Sequence, residues 1–193
     1  MSIDRTGELR IFIALPADDA KERLRGVYET LNENVRHLKN VAPVNYHITL
    51  KFLGAMEPGA FSLLHDDFAR LRSAAGPVDY TLRGLGAFPD TRRARVIWCG
   101  IDAERERIAA LYEMIENLCG NHGFPRDDRA FTPHLTLARA RRDARMPAKL
   151  ADYLVKNRDT VYGSSRFDRL VLFKSDPGRD GPVYTAVSEV RLG

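Results

Sequence analysis

Apolar and polar residues alternate from Leu9 to Leu15, which predicts a strand with Ile11, Ile13 and Leu15 on one face and Arg10, Phe12 and Ala14 on the other. Pro16 ends it. The period then lengthens: Ala20, Leu24, Val27, Tyr28, Leu31, Val35 and Leu38 recur at helical spacing and predict one helix of about five turns. Alternation returns from His47 to Phe52, a second strand. Pro58 opens a helix with the stripe Phe61, Leu64, Phe68 and Leu71, and Gly76-Pro77 closes it before a strand from Val78 to Leu85.

The second half repeats that order. A strand from Arg95 to Ile101 leads to a helix carrying Ile108, Leu111, Tyr112, Ile115, Leu118 and Cys119, ended near Asn121-His122-Gly123. A strand from His134 to Ala138 follows, then a shorter helix after Pro147 with Leu150 and Leu154, then strands from Phe167 to Lys174 and Val183 to Leu192. The recurrence predicts an internal duplication within a single domain, with halves at roughly 8–88 and 94–175 and a final strand at 182–192 completing a sheet. The expected fold is α+β: two pseudo-symmetric lobes, each an antiparallel sheet with helices packed outside, facing each other across a central cleft.

With 193 residues, 44% hydrophobic and 29% charged, the chain is long and apolar enough for a substantial core, which sets aside disordered and fibrous classes. The N-terminus is too charged for a signal-peptide apolar region, and no apolar run approaches the roughly 18 residues of a membrane span. A cytoplasmic protein with no membrane partner is expected. Cys99 and Cys119 lie in apolar-periodic segments without metal-ligand spacing and read as buried free thiols. The net charge of +4 favours an anionic partner without demanding one. Arg139, Arg141, Arg142 and Arg145 are denser than that average, yet on their own read as a solvated loop.

What changes the picture is a pair of tetrapeptides, His47-Ile48-Thr49-Leu50 and His134-Leu135-Thr136-Leu137, at matching places in the two halves. Two such matches arise by chance on the order of once in several thousand sequences of this composition. Strand parity puts His47 and Thr49 on one face and Ile48 and Leu50 beneath them; His134 and Thr136 follow the same rule above Leu135 and Leu137. Phosphodiester hydrolysis needs a base for the attacking water, an acid for the leaving oxygen, and donors to the phosphoryl oxygens. Two imidazoles supply acid and base near neutral pH, and Thr49 and Thr136 supply donors. Histidines from two lobes also suit an in-line displacement, whose attacking and leaving groups lie on opposite sides of phosphorus. Neither motif carries the second histidine or carboxylate of a zinc signature, and no phosphate-binding loop or nucleophile elbow is present, so neither metal nor cofactor is expected.

These paired strands resemble the two-histidine phosphoesterase superfamily, specifically its RNA 2',3'-cyclic phosphodiesterase branch, also called 2'-5' RNA ligase. The resemblance spans nearly the whole chain: residues 10–16 are similar to the family's opening strand, 45–54 to its first motif and 131–139 to its second, with Gly86-Ala87-Phe88-Pro89 and Arg95-Val96-Ile97-Trp98 similar to its linkers. It implies a bilobal α+β fold and hydrolysis of a terminal 2',3'-cyclic phosphate to a 2'-phosphomonoester. It also implies His47 as proton donor, His134 as proton acceptor, Phe12 stacked on the terminal base and Arg139 on phosphate. Strand physics alone leaves open which histidine is acid and which is base. A guanidinium directly after the second motif suits phosphoryl oxygens. For Phe12, packing and stacking are both open.

His37 and His122, near predicted helix C-termini, and His65, beside an apolar stripe, read as structural or surface residues. Trp98 reads as core, Tyr46 is off the His47 face, and Lys51 reads as solvated. RNA ends or small cyclic nucleotides are the expected substrates, acted on by a monomer. Two other functions stay open: 2'-5' RNA ligation in the same cleft, and an RNA-end-binding module without turnover.

Overall fold

The computed structural model describes residues 9–34, 36–71, 76–142, 144–178 and 181–193. In chain order these form β1 (Leu9–Pro16), α1 (Ala20–Arg23), α2 (Arg25–Asn32), β2 (Leu38–Asn40), a short 3-10 turn (Pro43–Asn45) and β3 (His47–Met56). Next come α3 (Pro58–Ala69), β4 (Val78–Phe88), β5 (Val96–Ala103), α4 (Arg105–Asn121) and β6 (His134–Ala140). The chain continues through α5 (Ala148–Lys156), β7 (Val161–Phe167), β8 (Arg169–Pro177) and β9 (Pro182–Arg191). Val35 and the expected start of the first half at residue 8 lie outside the described residues.

All strand pairs are antiparallel, and the order is β7-β4-β5-β6-β3-β1-β8-β9, with β2 beside β6. The α+β class read from the sequence is therefore the observed one. The order is palindromic about β6 and β3, the two histidine strands. They meet through a single register pair, Ile48 with Leu135. Asp168 is the one residue between β7 and β8, although five strands separate them in the sheet, so the sheet has to curl.

Strand membership does not follow the sequence halves. β4, which ends the first half, pairs with β5 and β7; β8, placed in the second, pairs with β1 and β9. The reason is connection length: a short link between β4 and β5 closes a hairpin, the simplest antiparallel join. Nor are there two separate cores. Ile13, Ile48 and Leu31 of the first half share one buried cluster with Leu135, Ile115 and Leu154 of the second.

The single five-turn helix is also corrected. Its stripe is real, since Ala20, Leu24, Val27 and Leu31 are all buried, but the helix breaks at Leu24 (φ −102°, ψ 13°) and ends at Asn32. Asparagine prefers to satisfy turns: the Asn34 amide donates to the Thr30 carbonyl, and the Asn34 carbonyl accepts from His37 and Leu38. Leu38 consequently lies on β2 and pairs with Ala140. The expected strand from Phe167 to Lys174 is β8, which begins at Arg169, and β7 before it was not foreseen. With Tyr-Gly-Ser-Ser-Arg at its centre, that edge strand lacks the apolar alternation by which strands are recognised.

Candidate active site

Parity holds through both motifs. Ile48, Leu50, Leu135 and Leu137 are buried at 0 to 2% exposure, while His47, Thr49, His134 and Thr136 are partly exposed. Continuing the Ile48–Leu135 register sets His47 toward Thr136 and Thr49 toward His134, a two-fold arrangement on one face of the curled sheet.

Each imidazole is fixed by a backbone carbonyl two residues before it. His47 Nδ1 lies 2.7 Å from the Asn45 carbonyl oxygen, and His134 Nδ1 lies 2.8 Å from that of Thr132. A carbonyl only accepts, so both Nδ1 atoms carry the proton and donate, which leaves each Nε2 for chemistry. In the first motif Nε2 is 3.1 Å from the Thr49 hydroxyl, which donates to it. Among the described residues, His134 and Thr136 make no matching contact.

The surroundings differ further. His47 is packed against Phe12 (ring centroids 5.0 Å apart) and edge-on to Tyr184 (5.4 Å). Burial lowers its pKa to about 4; the Asn45 carbonyl opposes that shift, and Arg139 and His134 add to it. His134 meets Phe88 edge-on at 5.1 Å, with Trp98 6.5 Å away. Trp98 is only partly buried and lies over Gly86, where a Cβ would clash with the indole.

A cavity of about 900 Å³ opens beside these groups, lined by Thr49, Phe52, Phe88, His134, Thr136 and Arg139, among others. Arg139 is exposed there, as a phosphate contact requires. Phe12 does not line it. Its ring is 2% exposed, stacked on Phe173 at 5.1 Å and 17° and covered edge-on by Tyr184 at 4.9 Å, so packing is its observed role.

Lys51 is the residue that sequence reasoning misplaced. Expected in solvent, it is 3% exposed, with Nζ 2.8 Å from the Glu116 carboxylate, 2.8 Å from the Pro125 carbonyl and 3.1 Å from Asp127. Burial works against its charge, but hydrogen bonds with Glu116 and Asp127 outweigh that and raise its pKa above the ordinary value. The cause is a bulge: Thr49 pairs with Ala14 and Lys51 with Ile13, so Leu50 is an extra residue and the side-chain parity beyond it inverts. A Lys in a strand opposite a distant Glu gave no local signal.

The remaining candidates fall outside the site. His122 pairs with Asp67 at 3.0 Å and His65 with Asp66 at 3.4 Å. His37 precedes β2 rather than closing a helix, and Tyr46 is buried at 3% exposure. Cys99 and Cys119 are buried free thiols, each pushed by burial up to about 12. Among the described residues no group of three or more His, Cys, Asp or Glu side chains is placed to hold a metal, and no helix is long and apolar enough to cross a membrane.

The chain is similar to known proteins over nearly its whole length. An RNA 2',3'-cyclic phosphodiesterase of Aeropyrum pernix is 31% identical over 165 residues, covering 83% of this chain and 92% of its own. One of the same name from Methanothermobacter thermautotrophicus is 29% identical over 186 residues, covering 96% of this chain and 100% of its own. In fold, the chain resembles E. coli LigT complexed with 3'-AMP (TM-score 0.69, 23% identity, 96% of this chain and 98% of that one). It also resembles TT0787 of Thermus thermophilus (TM-score 0.68, 27% identity, 95% and 97%). The sequence profile of the 2'-5' RNA ligase superfamily matches residues 15–179, and the chain belongs to that superfamily.

Proposed function

We propose that this protein is a two-histidine phosphodiesterase that opens RNA 2',3'-cyclic phosphate ends to 2'-phosphomonoesters without a metal. The observation that carries the reading is the matched pair of imidazoles, each held by an Nδ1–H to carbonyl bond and each presenting Nε2 on the same face of the sheet. The relatives' names point to the same substrate. Palindromic strand order supports a chain duplicated within one domain, with β4 and β8 exchanged between the two halves.

In the proposed step, a water oxygen attacks phosphorus and His134 Nε2 takes its proton. The bond from phosphorus to O3' breaks, and His47 gives a proton to O3'. Thr49, Thr136 and Arg139 hold the phosphoryl oxygens as charge grows on them. The product is a 2'-phosphomonoester beside a free 3'-hydroxyl; the enzyme acts on RNA ends or small cyclic nucleotides, as a monomer in the cytoplasm.

The reverse assignment of the histidines is favoured by one observation. With its pKa near 4, His47 is neutral at ordinary pH, and its Nε2 accepts from Thr49, which is the state of a base. As a donor it needs the charge of a bound phosphodiester to raise that pKa. A leaving group that departs unprotonated separates the two. His47→Ala and His134→Ala each lose roughly 100-fold or more on the oxygen substrate, in line with acid-base contributions of ~10² to 10⁴. With sulfur in place of O3', His47→Ala recovers and His134→Ala does not. Recovery of His134→Ala alone reverses the roles, and full activity of either folded variant removes that residue from the chemistry.

A further inference from the structure

Each motif strand carries a bulge at the same place. In β3, Leu50 is the extra residue; in β6, Thr136 pairs with Trp98 and Ala138 with Ile97, so Leu137 is the extra one. An inserted residue inverts side-chain parity beyond it. The residue four places after each histidine therefore turns into the protein, Lys51 in one strand and Ala138 in the other, at 3% and 0% exposure. The residue five places after each turns to the cavity: Arg139 in β6, and in β3 Phe52.

Phe52 is 61% exposed. A single exposed apolar side chain is ordinary, but this one forms the open end of an aromatic cluster at the cavity that holds His134. Its ring centroid is 5.6 Å from that of Phe12, which Phe173 and Tyr184 enclose. Phe88, the other exposed aromatic lining the cavity, is 37% exposed and already engaged edge-on with His134. Phe52 thus presents an uncovered ring in the same cavity as His134, Thr136 and Arg139.

We infer that Phe52 is the platform on which the terminal nucleobase stacks, while its counterpart Arg139 holds phosphate. The inference rests on the phosphodiesterase reading of the site and places the base on Phe52 instead of Phe12. Flat apolar contact without hydrogen-bond readout tolerates any base, with purines favoured by their larger area.

Titration calorimetry with adenosine 2'-monophosphate and with its base-less analogue, methyl riboside 2'-monophosphate, reads the platform independently of turnover. Because Phe52 is exposed, Phe52→Leu should fold normally. Loss of the stacking surface should make that variant bind the adenosine ligand roughly 10-fold more weakly and leave the base-less ligand unchanged. Phe52→Trp should hold or tighten the adenosine ligand. Equal weakening of both ligands, or no change in either, overturns the platform. Base-dependent binding through Phe52 without turnover of cyclic ends would sink the catalytic reading and keep the platform; normal turnover with Phe52→Leu indifferent to the base would sink the platform alone.

Discussion

Four places after the histidine, β3 holds Lys51, sealed at 3% exposure against Glu116 of α4; the same place in β6 holds Ala138, buried in the common core. His47 is enclosed by aromatic rings, with its Nε2 engaged by Thr49, while His134 lines the cavity and, among the described residues, makes no such contact. Five places on, one strand offers a ring and the other a guanidinium. The pair of motifs thus supplies a symmetric frame, and the residues after each motif make the two sides chemically different. One side encloses its imidazole among aromatic rings; the other opens its imidazole to the cavity beside an exposed guanidinium.

The largest effect expected from breaking this difference is on stability. Lys51 ties β3 to α4 and to the loop at Pro125 and Asp127, which leads on to His134. Removing one partner of a buried pair leaves an uncompensated charge, so Lys51→Met should cost roughly 3 to 5 kcal/mol in chemical denaturation. Replacing both partners, Lys51→Met with Glu116→Leu, should recover most of that. A neutral single variant would mean that the pair does not hold the two sides together.

Next come the threonines. Thr49→Val and Thr136→Val keep the branched shape and delete a donor, so each should lower kcat by roughly 2 to 4 kcal/mol equivalent with little change in KM. Arg139→Ala should instead raise KM and flatten its salt dependence. If both valine variants, folded by circular dichroism, keep wild-type kcat, the hydroxyls have a packing role only.

The smallest effect concerns His47 and pH. In the folded chain it titrates near 4 and in the unfolded chain near 6.5, so between those values the unfolded state takes up the proton first. Stability therefore falls as the pH drops from 6.5 toward 4, by about 2 kcal/mol from this group at pH 5. His47→Gln should lose that part of the acid sensitivity. Because kcat/KM reports the free enzyme, the same titration sets the limb on which activity falls as the pH rises if His47 is the proton donor, and the acid limb near pH 4 only under the reverse assignment. Denaturation curves of the two proteins that shift in parallel between pH 7 and 5 would contradict the enclosed, neutral imidazole.

Most of the frame was legible in the chain itself. Period-2 alternation located β1, β3 and β6, helical stripes located α3, α4 and α5, and parity put both His-x-Thr pairs on the open face. What escaped depended on pairing between distant strands. The bulges at Leu50 and Leu137 are visible only in register with β1 and β5, and they decide that Lys51 is buried and Phe52 open. Phe12 was placed on the correct face, but its enclosure comes from Phe173 and Tyr184, more than 150 residues away. That β4 pairs with β5 and β8 with β1 depends on connection lengths that a search for repeated order does not weigh.

The most direct test of the two-histidine assignment is phosphorus NMR on an RNA ending in a 2',3'-cyclic phosphate, with product length read in the same reaction. The wild type should convert the cyclic resonance to a 2'-phosphomonoester at unchanged RNA length, with full activity in EDTA, and the His47→Ala/His134→Ala double variant should leave the cyclic end intact. A 3'-phosphate product, a longer RNA, activity that needs a divalent ion, or turnover surviving in the folded double variant would contradict it.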